Sequence, residues 1–267
     1  MKKMSKIVLN LLFLMAFMSV VPEGSARTQK DEPAVAAASD LKFALEDISA
    51  RFHADSGRHV RLSFGSSGNF YRQIGQGAPF QLFLSADENF VFRLHQAGKA
   101  VDRGALYATG RIVLFAPHGS PLQVDVAAVG LKAAIADDRI RRFAIANPEH
   151  APYGRAAMEA LRGLGLWEAL QNRLVLGENV SQAAQFAAGG SAQGGIFAYS
   201  LALSPGMSSV GRYVLLPEHL HQPLRQRMAL ITGAGETAHA FYAYLQQPAA
   251  RQIFTRYGFV LPAAASQ

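Results

Sequence analysis

The sequence predicts an α/β protein built as two lobes, and three observations predict it. From residue 33 almost to the end, short apolar runs alternate with segments of helical period, the pattern of sheets covered on both faces. The apolar runs repeatedly end in small or polar residues just where a helical pattern opens. Finally, the late run Met228–Ile231 is a counterpart of the central run Ile112–Ala116, with no internal repeat and no low-complexity linker between them. A chain that changes lobes without a linker does so in extended strands. The expected division is 33–113 plus 229–262 for lobe one and 114–228 for lobe two.

The elements follow in order. After a polar stretch, 27–33, Val35–Ala38 reads as a strand running into Ser39 and Asp40, and Leu41, Leu45, Ile48 and Phe52 recur at helical spacing up to Gly57. Val60–Phe64 is the next strand, ending in Gly65, Ser66, Ser67 and Gly68, with a short helix from Asn69. Leu82–Leu84 is a buried strand leading to a helix over 89–97. Strands are expected near Phe143, Leu174, Ile196 and Tyr213, and helices over 153–164, 181–188, 237–246 and 249–257.

Residues 1–26 read as a secretory signal: Lys2, Lys3 and Lys6, the apolar run Ile7–Val21, then Gly24, Ser25 and Ala26 before a cut. An uncleaved anchor is the competing reading, but the run is short for a membrane span. Three lysines and one glutamate leave with the signal, so the formal charge falls from +7 to +5. The remaining basic residues are scattered, and the cluster Arg139, Arg141, Arg142 is too small to argue for nucleic acid. There is no cysteine, which excludes disulfides, thiolate metal sites and cysteine nucleophiles.

Four strand-to-helix junctions carry the chemistry: Ser39–Asp40, Gly65–Gly68, Asn147–Gly154 and Gly177–Val180. Each presents unpaired backbone N–H groups and the positive end of a helix dipole. Facing one cleft at the carboxyl ends of strands, they would form an anion site without a charged side chain. The plainer readings are that Ser39 and Ser67 cap their helices and that Tyr153 is a core aromatic behind a helix-starting Pro152. Gly233, Gly235 and Ala238 mimic a dinucleotide loop, but the chain ends before the remaining units, and a plain turn is favoured. His219 and His221 have no third ligand in view and read as a solvated loop. No GxSxG or HExxH spacing occurs.

The phrases AAASDLKFALEDI, LSFGSSGNFYRQIGQGAPFQLFLSAD, AIANPEHAPYGRAAMEAL, LGENVSQA and AFYAYLQQPAARQIFTRYGF together resemble the periplasmic molybdate-binding proteins of ABC uptake systems. The likeness runs in order over nearly all of the chain after the signal. It implies a type II periplasmic binding-protein fold, two α/β lobes closing on molybdate or tungstate, with no enzymatic activity, no cofactor and no metal cation bound directly. It implies a monomer in the periplasm, after cleavage near Ala26, that delivers the ion to an ABC permease of the inner membrane. Carried over by position, Ser39, Asp40 and Ser67 would donate from lobe one, Asp40 through its backbone N–H because its carboxylate would repel a dianion. Tyr153 and the backbone N–H of Val180 would donate from lobe two. Some members carry a ligand tyrosine where this chain has Ala198, beside Tyr199; here the aromatic donor is expected at Tyr153 and the part of Tyr199 stays open. Two alternatives stand beside this reading: another tetrahedral oxyanion such as sulfate or phosphate, or an exported hydrolase with Ser66 or Ser67 as nucleophile, for which no base is visible nearby.

Overall fold

The computed structural model describes residues 32–263. The expected signal, 1–26, and most of the polar stretch after it lie outside the described residues. Among the described residues, no helix is long and apolar enough to cross a membrane.

The chain opens with strand β1 (Ala34–Ala38), a 3-10 turn at Ser39–Leu41 and helix α1 (Lys42–Ser56). There follow β2 (Arg61–Gly65), α2 (Ser67–Gly75), β3 (Phe80–Ser85), α3 (Glu88–Gln96), β4 (Ala105–Gly110) and β5 (Ile112–Pro117). The central part comprises α4 (Val129–Ala136), β6 (Phe143–Ala146), α5 (Pro152–Gly163), α6 (Trp167–Leu170), β7 (Leu174–Gly177), α7 (Val180–Ala188) and β8 (Gly195–Ala198). The last part holds α8 (Tyr199–Ala202), α9 (Met207–Val210), β9 (Gly211–Leu215), β10 (Leu224–Leu230), α10 (Glu236–Tyr244) and α11 (Pro248–Arg256).

Two five-stranded sheets result, in the orders β2-β1-β3-β10-β4 and β7-β6-β8-β5-β9. Each contains one strand antiparallel to its neighbours, β10 in the first and β5 in the second. Those are the two strands that arrive from the other sheet, so the crossings are built into the sheets themselves. They fall at Arg111, between β4 and β5, and between Leu215 and Leu224. The sequence division at 113/114 and 228/229 therefore shifts: Ile112 and Val113 pair in the second sheet, and Leu224–Met228 pair in the first. The late shift has a physical reason. Arg225, Gln226 and Arg227 hide the strand from a search for apolar runs, although Gln226 is fully buried.

Local chemistry fixes the elements that matter for the cleft. Helix α1 buries Ala44, Leu45, Ile48 and Phe52 on one face, each large side chain stabilising by about 1.5–3 kcal/mol, and stops at Gly57, whose φ of 70° forms the left-handed cap. Phe70, Ile74, Val91 and Leu94 cover the other face of the first sheet around Phe83. In register, Ala38 pairs Gly65 and Ala146 pairs Gly177. Neighbouring parallel strands thus release their chains side by side: Ser39 next to Ser66, and Asn147 next to Glu178.

Candidate functional site

All four junctions meet at one place. A narrow cavity lies where the two sheets' carboxyl ends face each other, lined among others by Ser39, Asp40, Ser66, Ser67, Tyr153 and Val180, and no Lys or Arg lines it. The five residues expected to bind an anion are therefore together.

Of the three serines only Ser66 caps a helix; Ser39 and Ser67 do not. Ser66 caps α2, its Oγ accepting from the Asn69 N–H at 3.3 Å. Ser67 is the first helical residue, and its Oγ accepts from the Ala86 N–H at 2.9 Å. Ser39 Oγ accepts from the Ser181 N–H of the other lobe at 3.2 Å, while Ser181 Oγ donates to the Ser39 carbonyl at 2.8 Å. A hydroxyl that accepts one N–H keeps its own hydrogen to donate. Ser39 and Ser67 are thus oriented as donors by the bonds they accept.

The second lobe contributes helix starts. Pro152 occupies the first position of α5 and has no N–H, so Tyr153 carries the first free one. Gly154 lets this turn sit on β6: a Cβ there would lie 2.2 Å from the Ala146 carbonyl oxygen. At α7, Asn179 caps by accepting from the Gln182 N–H at 3.1 Å, which leaves the N–H of Val180 at the first helical position.

Tyr153 departs from expectation in its side chain. Its hydroxyl donates to Asp40 Oδ2 at 2.9 Å across the cleft, so the aromatic donor expected at this position is committed within the protein and the backbone N–H is what remains. Gln226 Nε2 donates to the same oxygen at 2.7 Å, and Tyr107 donates to Gln226 Oε1 at 2.7 Å. The Asp40 carboxyl is buried, its Oδ1 has no partner, and desolvation pushes its pKa up to about 6 against the hydrogen bonds from Gln226 and Tyr153. Burial, reinforced by the Asp40 charge, raises the pKa values of Tyr107 and Tyr153 well above the ordinary phenol value. Ser200 Oγ donates to the Asp40 carbonyl at 2.7 Å. Tyr199 does not line the cavity and packs against Tyr213 instead.

Sequence reasoning missed His150, Glu178, Gln226 and Tyr107. Ser66 Oγ lies 3.0 Å from His150 Nδ1, and His150 Nε2 lies 3.6 Å from Glu178 Oε1. The base that the hydrolase reading lacked is therefore present, 84 residues away in sequence. Two of these residues sit inside the quoted phrases, His150 just before Ala151-Pro152 and Glu178 just before Asn179; nothing local marks the other two. His219 is exposed, His221 is buried, and no group of three potential metal ligands occurs among the described residues.

Residues 33–260 match the family model of bacterial extracellular solute-binding proteins. The molybdate-binding protein ModA of Rhodobacter capsulatus is 38% identical over 86% of this chain and 88% of its own length. That of Escherichia coli K12 is 34% identical, over 94% and 97%. The solved structure of the Azotobacter vinelandii periplasmic molybdate-binding protein superposes with a TM-score of 0.79 at 32% identity, covering 86% of this chain and all of that one. A sulfate-binding protein from Mycobacterium tuberculosis, at 15% identity and a TM-score of 0.72, shares the fold. These relatives are transport components without enzymatic activity, and their ligand is cargo rather than a cofactor. By its matched length, its two-lobed fold and its relatives, the chain belongs to the bacterial extracellular solute-binding protein family, among the periplasmic molybdate-binding proteins.

Proposed function

We propose that the protein captures molybdate or tungstate in the periplasm and delivers it to an ABC permease of the inner membrane, acting as a monomer once a signal near Ala26 is removed. The observation that carries this is the cavity between the lobes, walled by serine hydroxyls and helix starts and free of Lys and Arg. Neutral donors suit a dianion that must later be released. Each charge-assisted hydrogen bond stabilises by about 1.5–3 kcal/mol, and a closed, dry cleft strengthens it. Ser39, Asp40 through its backbone and Ser67 donate from one lobe, Tyr153 and Val180 through their backbones from the other.

Donors fixed on helix ends measure size. Molybdate and tungstate nearly match in bond length and exceed sulfate, which would be left with stretched bonds that do not repay its dehydration. Calorimetry against an oxyanion panel tests the reading. Molybdate and tungstate should compete at near-equal concentration, and sulfate in large excess should not. Equal competition by sulfate, or tighter binding of phosphate, would overturn the assignment of the ion; no heat with any tetrahedral oxyanion would overturn the receptor reading.

The pairing of Ser66 with His150 and Glu178 revives the geometry of a hydrolase, yet the surroundings disfavour one. Ser66 is buried, and its oxygen is held as the cap of α2.

A further inference from the structure

Beside the anion cavity lies a second polar constellation, and it spans the two lobes. Ser66 Oγ accepts from the Asn69 N–H, so its own hydrogen is free for His150 Nδ1 at 3.0 Å. With Nδ1 accepting, the ring hydrogen sits on Nε2, which faces Glu178 Oε1 at 3.6 Å. That same carboxylate oxygen accepts from Asn69 Nδ2 at 2.5 Å, a second bond between the lobes beside the Ser66–His150 one, and Arg72 holds the Asn69 side-chain oxygen. Beneath it, the Gly68 N–H donates to the His150 carbonyl at 3.0 Å.

Every link from Ser66, Gly68 and Asn69 to His150 and Glu178 runs from one lobe to the other. None of these five residues supplies a donor assigned above to the anion, yet each stands next to, or within three residues of, one that does. Ser66 and Gly68 flank Ser67, His150 precedes Tyr153 by three residues, and Glu178 precedes Val180 by two. Forming these bonds therefore places the helix starts of α5 and α7 against that of α2.

We propose that Asn69, Ser66, His150 and Glu178 form a clasp that exists only when the lobes are shut and that sets how long a captured anion stays. His150 is a positioning residue in this scheme, acting through the lobes and touching no ligand. The inference rests on the oxyanion reading above.

Stopped-flow mixing of the mature protein with molybdate, followed by intrinsic fluorescence, tests it. His150→Ala and Glu178→Ala should each raise the dissociation rate about tenfold and change the association rate less than twofold, with the ligand-free melting temperature unmoved. The double variant should release faster than either single one, because each substitution removes a separate bond between the lobes. Glu178→Gln keeps an oxygen for Asn69 and should restore slow release. Wild-type dissociation rates in both alanine variants, or in the double variant, would overturn the clasp. If the wild-type protein binds no oxyanion, it is the oxyanion reading that fails.

Discussion

The hydroxyl of Tyr153 and the carboxyl of Asp40 meet at 2.9 Å, although they come from different lobes and lie 113 residues apart. A buried acid is thereby held inside the wall of the proposed anion site, one oxygen satisfied twice and the other not at all. Its consequences reach both stability and binding.

The first concerns pH. Asp40 rises from an ordinary 3.8 to about 6 in the folded chain because burial disfavours its charge. The folded state then holds a proton that the unfolded state has released. Below about pH 4 both states are protonated and no penalty exists; as pH climbs to about 6 stability falls, and above that the full cost of about 3 kcal/mol is in place. Asp40→Asn removes this term. Between pH 4 and 7.5, denaturant titrations of the oxyanion-saturated protein, whose lobes are shut around Asp40, should show the variant gaining on wild type by up to that amount, and parallel curves would refute the argument.

Tyr153→Phe should act on the same acid. Its hydroxyl stabilises the ionised carboxyl, so its loss pushes the Asp40 pKa further up. With the lobes shut on ligand, stability should fall by about 1–3 kcal/mol at pH 7.5 and by clearly less at pH 5, where the proton is already bound. Molybdate affinity should survive in large part, because the backbone N–H remains. A hundredfold loss of affinity would show the hydroxyl to be a ligand.

Gly68→Ala should separate stability from closure. A Cβ there would lie 2.5 Å from the His150 carbonyl oxygen, which only the meeting of the lobes brings near. In the ligand-free protein alanine suits a helical position and adds up to about 1 kcal/mol. Shut lobes would have to yield around it, at about 1–3 kcal/mol, or roughly ten- to a hundredfold in affinity. Calorimetry with molybdate and a thermal melt of the same preparation should move in opposite directions.

Ser67→Ala and Ser39→Ala should differ in an informative way. Ser67 accepts from Ala86 within its own lobe, so truncation strands a buried N–H whether or not ligand is present, costing about 1–3 kcal/mol of ligand-free stability. Ser39 accepts from Ser181 of the other lobe, a bond that open lobes do not make. Both variants should bind molybdate more weakly, but only Ser67→Ala should melt earlier without it.

The fold was largely legible because each strand of the cleft is a short apolar run closed by small or polar residues. Val35–Ala38 and Phe143–Ala146 announce themselves in this way. Strand β4, with Thr109 and Gly110 in it, and helix α4, which begins from a left-handed Ala128, carry no comparable signal. That Ser39, Ser67 and Val180 come together was legible through the junctions and the family phrases. Gln226 was not: an amide between two arginines reads as solvent-facing, and only the tertiary fold shows it buried against an acid 186 residues away. His150 and Glu178 were visible as letters, but their partnership requires two lobes to meet.

Two of the donors assigned to the anion, those of Tyr153 and Val180, are main-chain atoms at the starts of α5 and α7. Such contacts are inherited through the path of the backbone and not through the identity of a side chain. Drift at Val180 toward any apolar residue that can open a helix leaves the recognition group untouched, whereas a change at Gly154, which touches no anion, displaces it. A catalogue of tolerated substitutions would therefore mark the supports of this site more clearly than the contacts themselves.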